Sequence, residues 1–508
     1  MSQISVRDLT FYYEGSFDYV FEHTDFSLDT DWKLGFIGRN GKGKTTFLQL
    51  LLGKYKYQGS ISASVAFAYF PYAVTAEQMQ LPASEFIEAL RPNCEEWRVI
   101  CELTQLEAEA DLLYRPFCTL SSGERTKILL AVLFSGENDF LLIDEPTNHL
   151  DQQARTAVKN YLATKKGFIL VSHDRDLLDA CTDHVLVLNR KTIAVQNGNF
   201  SVWLENKQRQ DQFAEAENEK HQKEIRKLRQ AAKRTAQWAE KSERTKIGFD
   251  PVKEHDRCIS TRSFIGTKTK KMQSRVKQME KRIGHEIEEK EGLLQDVEQS
   301  IALKLKPLTH HRQALVTLKD FSLQYHSAAQ PVIRNLTLQI RQGDRIALHG
   351  ANGCGKSTLM KMLLQKAGVL PDSGNYTESG TCELASGLVI SYVPQDTSGL
   401  RGSIPTFCEA NGLELSLLCT MLRQLDFTRT QFDKDMSEFS EGQKKKVLLA
   451  ASMLKPAHLY IWDEPLNYVD IFSRMQIEQL LKTYRPTLLF AEHDARFRRE
   501  ISAETVSL

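Results

Sequence analysis

The 508-residue sequence contains no apolar run near the roughly 18 residues that a membrane-spanning helix requires. The stretch around Leu129 to Phe134 is far too short, so a chain that crosses a bilayer as helices is not expected. Met1 to Thr10 lacks a basic region followed by an apolar stretch, and no secretory leader is expected either. The nine cysteines include no Cys-x-x-Cys pair, and their number is odd. Reduced, buried thiols in a cytoplasm account for them most simply. From Val202 to Ser242 neither glycine nor proline occurs, while Glu, Lys, Gln and Ala abound, so nothing interrupts a helix there.

Net charge is also nearly absent: 66 Lys and Arg oppose 65 Asp and Glu, for a formal charge of +1. That balance hides an asymmetry. Between Lys220 and Arg282 there are 20 Lys and Arg against 7 Asp and Glu, a surplus of 13, which leaves the remainder of the chain at −12. Positive charge gathered into one segment of a neutral protein is suited to a polyanion.

Three parts are expected. The first, residues 1–201, opens on the strand-like Ile4 to Leu9 and closes near Leu186-Val187-Leu188. The third, residues 313–508, opens near Ala314 to Leu318. Both alternate short apolar or β-branched strands with longer helical stretches, which predicts an α/β layer fold. Residues 202–312 between them read as a basic antiparallel helical hairpin. A thin stripe of Ile225, Leu228 and Ala232 lies on the outgoing helix. Met272, Val276, Met279, Ile283, Leu294, Val297 and Ile301 form a coiled-coil seam on the return. Gly248, Pro251 and Gly266 punctuate a tip loop at about 245–267. Some forty helical residues would project ~60 Å. A solvated coiled-coil spacer is the alternative reading.

The outer parts share a set of motifs in the same order. Gly38-Arg39-Asn40-Gly41-Lys42-Gly43-Lys44-Thr45 returns as Gly350-Ala351-Asn352-Gly353-Cys354-Gly355-Lys356-Ser357, and Asp144-Glu145-Pro146 returns as Asp463-Glu464-Pro465. The offset is 312 at the lysine and 319 at the glutamate, the mark of an internal duplication.

The glycines of both loops, Gly38, Gly41, Gly43, Gly350, Gly353 and Gly355, let backbone N–H groups converge on phosphate oxygens. Asn40, Asn352, Thr46 and Thr358 belong to the same two loops. Lys44 and Lys356 would reach the β- and γ-phosphates of ATP, while Thr45 and Ser357 would hold Mg²⁺. Asp144 and Asp463, ending apolar strands, would orient Mg²⁺ through its waters. Glu145 and Glu464 would polarise the attacking water. His173 and His493, an offset of 320 apart, each follow a further apolar strand and are placed to sense the γ-phosphate.

Leu120-Ser121-Ser122-Gly123-Glu124 and Phe439-Ser440-Glu441-Gly442-Gln443 precede the acidic strands. These segments are similar to the signature sequence of ATP-binding cassette (ABC) proteins, and all the motifs stand in that superfamily's order. The resemblance implies that Ser121 and Gly123 of one cassette, and Ser440 and Gly442 of the other, complete the opposite ATP site. It matches Tyr13 and Tyr325 to the aromatic that stacks on adenine. Gln395 matches the glutamine that couples Mg²⁺ and the γ-phosphate to movement, and Asp151 and Asp470 match the loop that crosses the interface. Two departures fall in one composite site. Tyr72 stands where the first cassette's coupling glutamine is expected, and Glu441 replaces a signature glycine. Unequal sites are expected, the one containing Lys44 being the slower.

Two cassettes, no membrane part and a helical linker resemble the ABC-F class, of which Asp144-Glu145-Pro146-Thr147-Asn148-His149-Leu150-Asp151 is typical. Trp32 to Gly41, Gly198-Asn199-Phe200-Ser201 and Tyr460 to Tyr468 look most like the antibiotic-resistance type, closest to the Lsa group. The resemblance implies a monomeric, cytoplasmic bacterial ATPase that pairs its cassettes intramolecularly and binds the 70S ribosome in the exit (E) site. Its partners would be 23S rRNA and P-site tRNA, without membrane or DNA. Protection of the peptidyl-transferase centre against lincosamides, streptogramin A and pleuromutilins is implied. At the tip, Phe249, His255, Arg257, Arg262 and Phe264 would meet rRNA or tRNA; alternatively, Phe249 and Phe264 pack on each other to close the hairpin. The alternatives in function are a translation factor relieving stalled ribosomes without drug specificity, and the ATPase subunit of an ABC transporter.

Overall fold

A computed structural model describes residues 3–14, 18–92, 94–137, 139–148, 150–189, 191–244, 274, 276–279, 281–285, 305–328, 330–372 and 374–508. The chain divides into two compact units, one comprising Met1–Trp203 with Ser300–Leu508 and the other Leu204–Gln299.

In the first unit each half of the duplication builds one largely parallel sheet beside one small antiparallel sheet. The first parallel sheet runs Ala66–Phe70, Asp139–Asp144, Phe168–Val171, Lys33–Ile37, His184–Leu188 and Ile193–Asn197, with only the last pair antiparallel. The second runs Ile390–Val393, Leu459–Asp463, Leu488–Ala491, Arg345–His349 and Glu504–Ser507. The near-continuous burial of Leu459–Asp463 and Phe168–Val171 follows from cover on both faces of such a sheet, helices on one and the phosphate-loop helix with the small antiparallel sheet on the other. Gln3–Phe11 pairs with Phe21–Asp29 and Gln58–Ser62 in one antiparallel sheet, and Ala314–Tyr325 pairs with Ile333–Arg341 and Tyr376–Leu384 in the other. Among the described residues, no helix is long and apolar enough to cross a membrane.

This topology sets the site. Strands Lys33–Ile37 and Arg345–His349 sit inside their sheets with parallel neighbours on both sides, and each is followed by a loop and a helix. A ligand in such a fold lies in the crevice beyond the carboxyl ends of the strands. Helix Lys44–Leu51 is fixed by Phe47, fully buried and edge-on to Phe21 and Phe36. Its cap, Gly43, has φ 112°, and a Cβ there would stand 2.5 Å from Val20 Cγ1, so only glycine fits. Gly355 repeats this at φ 102°, against Val332.

The second unit contains most of helix Phe200–Arg244, which is 45 residues long and matches the uninterrupted stretch expected from Val202 to Ser242. Ile225 is buried on it, and Ile283 is buried among the helical residues 281–285 of the return. Met279 of the expected seam is half exposed. The tip residues Phe249, His255, Arg257, Arg262 and Phe264, and the seam residues Met272, Leu294, Val297 and Ile301, lie outside the described residues.

Candidate nucleotide sites

Each phosphate loop folds around its own lysine. Lys44 Nζ donates to the carbonyls of Gly38 at 2.6 Å and Arg39 at 3.2 Å, and to Asn40 Oδ1 at 3.3 Å. Lys356 Nζ donates to the carbonyls of Gly350 at 2.8 Å and Ala351 at 2.9 Å. Both lysines are buried. Burial lowers the pKa of Lys44 against the pull of Asp470, Glu145 and Asp144, so an anion is the natural partner. Tyr13 and Tyr325 each meet the first turn of the following helix, hydroxyl to hydroxyl, at 2.7 Å from Thr46 and 2.9 Å from Thr358. Tyr13 keeps 41% of its surface exposed, with Phe11 and Tyr55 edge-on to its ring.

The acidic residues converge on the same crevices. Thr45 Oγ1 donates to Asp144 Oδ2 at 2.8 Å, and Tyr69 donates to the same oxygen at 3.3 Å. Asp463 is 1% exposed, and among the described residues neither of its carboxylate oxygens takes a hydrogen bond of normal geometry. Burial raises its pKa, while Ser357, Lys445, Lys361 and Lys356 pull it down. A buried carboxylate short of hydrogen bonds beside a serine hydroxyl offers the oxygen ligands a divalent cation takes, while the neighbouring lysines suit the phosphates.

Glu145 and Glu464 leave their strands with φ 51° and 46°, their N–H groups bonded to the carbonyls of Val171 at 2.9 Å and Ala491 at 3.0 Å. That left-handed conformation is unusual for a residue with a side chain, and strain of this kind gathers at functional sites. Glu145 Oε1 stands 3.3 Å from His173 Nε2, and Glu464 Oε1 stands 3.9 Å from His493 Nε2. Burial and the neighbouring Asp144 push the Glu145 carboxyl up to about 8, and burial holds His173 well below the ordinary imidazole value. Both shifts therefore work against an ion pair between the two side chains in the ligand-free site. Burial raises Glu464 as well, and lowers His493 to about 4. Gln395, Glu464, Asn467 and His493 line one cavity with the second phosphate loop.

The signature serines act locally as helix caps. Ser121 Oγ accepts from Glu124 N at 3.2 Å, and Ser440 Oγ accepts from Gln443 N at 3.3 Å, each in a reciprocal capping box. The first phosphate loop meets the second signature: Asn40 Nδ2 donates to Tyr468 O at 2.8 Å, and a Cβ on Gly442 would stand 2.4 Å from that oxygen and 3.3 Å from Asn40 Nδ2. Gly123 has more room, its nearest neighbour being Ala154 Cβ at 3.2 Å. Relative to its own parent, Gly442→Ala read in the Glu464→Gln background, which isolates the first site, is therefore expected to lose a larger fraction of its hydrolysis than Gly123→Ala read in the Glu145→Gln background, which isolates the second, with ATP binding retained in both. Steady-state hydrolysis and nucleotide affinity of the two variants check this, and equal defects contradict it.

The two departures resolve differently from their bare chemistry. Glu441 is drawn aside by a hydrogen bond from Thr397 Oγ1 and by Lys444 Nζ at 3.4 Å, which offsets its charge before a phosphate arrives. Tyr72 is partly buried, and burial raises its pKa against the pull of Arg91, away from any coupling role through Asp144. Tyr69, three residues earlier, makes that contact instead.

Several residues at the crevices carry no local motif. Tyr468 lines the first cavity with Thr45, Asp144 and Glu145. Arg474 pulls Glu145 and His173 down electrostatically, from the opposite half. Arg155 lines the second cavity, again from the opposite half. Arg155 and Arg474 share the duplication offset of 319 and follow Asp151 and Asp470 by four residues, the one signal that could have found them. Asp470, although deeply buried, is held well below the carboxylate range by Lys446 at 2.6 Å.

Comparison with known proteins agrees with this architecture. The sequence pattern of the ABC transporter family matches residues 21–148 and 333–467. The ribosome protection protein VmlR of Bacillus subtilis is 28% identical over 493 residues, covering 96% of this chain and 83% of that protein. The erythromycin resistance ATP-binding protein MsrA of Staphylococcus epidermidis is 27% identical, covering 92% of this chain and 90% of that one. Among solved structures, the archaeal ribosome recycling factor aABCE1, in complex with the stalk protein aP1, has a TM-score of 0.60 at 18% identity over 98% of this chain and 87% of its own, a likeness of fold. The near full-length relatives support the ABC-F type expected from the motifs. With two matched segments and two sets of cassette motifs on one pair of sheets, the chain belongs to the ABC transporter family as a tandem ATP-binding protein.

Proposed function

We propose that the chain is an ABC-F ATPase that binds the 70S ribosome in an ATP-dependent manner, enters the E site and protects the peptidyl-transferase centre from antibiotics. The observation that carries this reading is the root of the basic helix. Asp179 of the first cassette accepts from Ser201 N at 2.7 Å and from Ser201 Oγ at 2.5 Å at the start of helix Phe200–Arg244, and from Arg496 of the second cassette at 2.7 Å. Trp203, on the same first turn, packs edge-on to Phe472, whose ring lies 5.8 Å beneath the guanidinium of Arg39 in the first phosphate loop. Nucleotide that draws the cassettes together thus acts on residues that hold the linker, and a ligand favouring one arrangement shifts the population toward it.

The likeness to VmlR and MsrA supports ribosome protection over transport. The +13 segment suits rRNA and tRNA phosphates, giving affinity with little sequence reading. Lincosamides, streptogramin A and pleuromutilins are the proposed drug classes, and the Lsa group the proposed subgroup. The protein would work as a cytoplasmic monomer.

In this reading ATP is hydrolysed at two composite sites. Lys44 and Lys356 bind the phosphates, and Tyr13 and Tyr325 stack on adenine. Glu145 and Glu464 accept the proton of the attacking water, with His173 and His493 at hand for the γ-phosphate. Thr45 with Asp144, and Ser357 with Asp463 and Gln395, would hold Mg²⁺, which supplies charge neutralisation on the β- and γ-phosphate oxygens. Ser440 and Gly442 complete the first site, and Ser121 and Gly123 the second.

The two sites are unequal, with the one containing Lys44 slower. A protonated Glu145 cannot accept a proton, and its carboxyl stands near 8. Hydrolysis by the Glu464→Gln variant, in which Glu145 is the remaining base, is therefore expected to rise as pH increases from 7 through about 8. A flat pH–rate profile contradicts the assignment.

Expression in a drug-sensitive bacterium tests the protection itself. Wild type raises the lincomycin concentration tolerated, while Phe249→Ala and Phe264→Ala lose protection yet still pellet with ribosomes. Unchanged protection in both variants removes the tip from the mechanism. Pelleting without any drug protection shifts the reading to a translation factor.

A further inference from the structure

The loop helices of the two cassettes begin alike but end their arginines differently. Asp151 caps helix Gln152–Thr164 by accepting from Ala154 N at 2.9 Å, and Asp470 caps helix Ile471–Tyr484 by accepting from Ser473 N at 2.9 Å. One turn on stand Arg155 and Arg474. Arg474 is consumed by its own cassette: Nε donates to Val469 O at 2.9 Å, Nη2 to Leu466 O at 2.9 Å and Nη1 to Asp494 at 3.2 Å. It is 6% exposed. Arg155 repeats only the first of these bonds, from Nε to Leu150 O at 2.9 Å, with Nη1 at a looser 3.7 Å from Asp174. Its Nη2 donates no hydrogen bond among the described residues.

That guanidinium lines the cavity of the second phosphate loop, together with Lys356, Ser357, Gln395, Glu464 and His493. Every one of those five residues belongs to the second cassette, so Arg155 reaches them from the first. Its charge is also felt there, as the cation that, after burial, lowers His493 most. A guanidinium is planar, permanently charged and weakly hydrated, and its fork matches the oxygens of a phosphate.

We propose that Arg155 is a catalytic residue which the first cassette supplies to the second ATP site, where its Nη donors bind the terminal phosphate of ATP. The inference rests on the composite ATP sites proposed above and adds a sensor of the γ-phosphate outside the family's signature motif. ADP lacks the group that Arg155 contacts, so loss of the γ-phosphate releases one tie between the cassettes. Arg474, saturated by its own cassette, has no such role, and the duplication is functionally one-sided at this position.

The test uses the full-length chain carrying Lys44→Ala, which confines nucleotide to the second site. Affinities for fluorescent ATPγS and fluorescent ADP, and steady-state ATP hydrolysis, are measured with Arg155, Arg155→Gln and Arg155→Lys. Arg155→Gln is expected to lower hydrolysis by about 10²–10³-fold and to weaken ATPγS binding while ADP affinity holds. Arg155→Lys, which keeps the charge without the fork, falls between. Equal loss of ATPγS and ADP affinity would mean that Arg155 only holds Leu150 and Asp174 in place, and unchanged affinity and rate would leave it no role; either overturns the proposal. Should Arg155→Gln fail to fold, Arg155→Lys decides by the same ATPγS-to-ADP ratio. A parent protein that neither binds nor hydrolyses ATP sinks the ATPase reading itself, a different result from a normal parent with an indifferent Arg155→Gln.

Discussion

Replacing Glu145 and Glu464 together by glutamine is expected to lower steady-state ATP hydrolysis by about 10²–10⁴-fold while ATP stays bound. Glutamine keeps the size of the side chain and leaves the strained backbone its bonds to Val171 and Ala491. What it removes is the acceptor for the water proton. The lysines, held by loop carbonyls, are untouched and still bind phosphate. Glu464→Gln alone removes the larger share, because Gln395 serves the second site while Tyr72 has turned toward Arg91 in the first. Equal defects in the two single variants contradict unequal sites, and a double variant that still hydrolyses ATP requires another base.

The second large effect is on stability. Arg175 and Glu478 form a two-pronged ion pair between the cassettes, with Nη1 to Oε2 at 3.0 Å and Nη2 to Oε1 shorter still, and their side chains are 3% and 7% exposed. Removing one partner strands a buried charge. Arg175→Met is thus expected to cost about 3–5 kcal/mol, whereas Arg175→Met with Glu478→Met returns close to wild type. Thermal unfolding of the two single variants and the double variant gives the coupling. A mild Arg175→Met, or a double variant worse than either single one, contradicts a seam built on this pair. The duplicate positions hold Lys159 and Ala495, so the bridge occurs once. From the same helix, Arg175–Cys181, Asp179 meets Arg496 at 2.7 Å and Asp176 meets Arg499 at 3.1 Å, and these pairs are more exposed.

The loops, acidic strands and signature helices were legible because their information is local. A glycine that must adopt φ 112° or 102° before a helix, and an apolar strand ending in Asp-Glu-Pro, announce themselves within eight residues. The long helix was legible from what is missing between Val202 and Ser242, and it begins two residues earlier because Asn199 Oδ1 accepts from Val202 N at 3.1 Å. The residues that reach across the seam were not legible. Arg155, Arg474, Tyr468 and the Arg175–Glu478 pair acquire meaning only when two segments about 300 residues apart are brought together. Glu441 reads as a liability until Thr397, 44 residues away, is seen to draw its carboxylate aside. Substitution is visible in sequence; the direction of a side chain depends on neighbours supplied by the fold.

Co-sedimentation of the Glu145→Gln/Glu464→Gln protein with 70S ribosomes, in ATP and in ADP, tests whether ATP holds the protein on the ribosome. Lincomycin susceptibility of cells carrying the wild-type protein is read alongside it. Retention on ribosomes in ATP but not in ADP, with wild type protecting the cells, is the result predicted for an ATP-gated ribosome protection factor. Absence of the variant from the ribosome in both nucleotides contradicts that account and returns the chain to transport or to another nucleic acid.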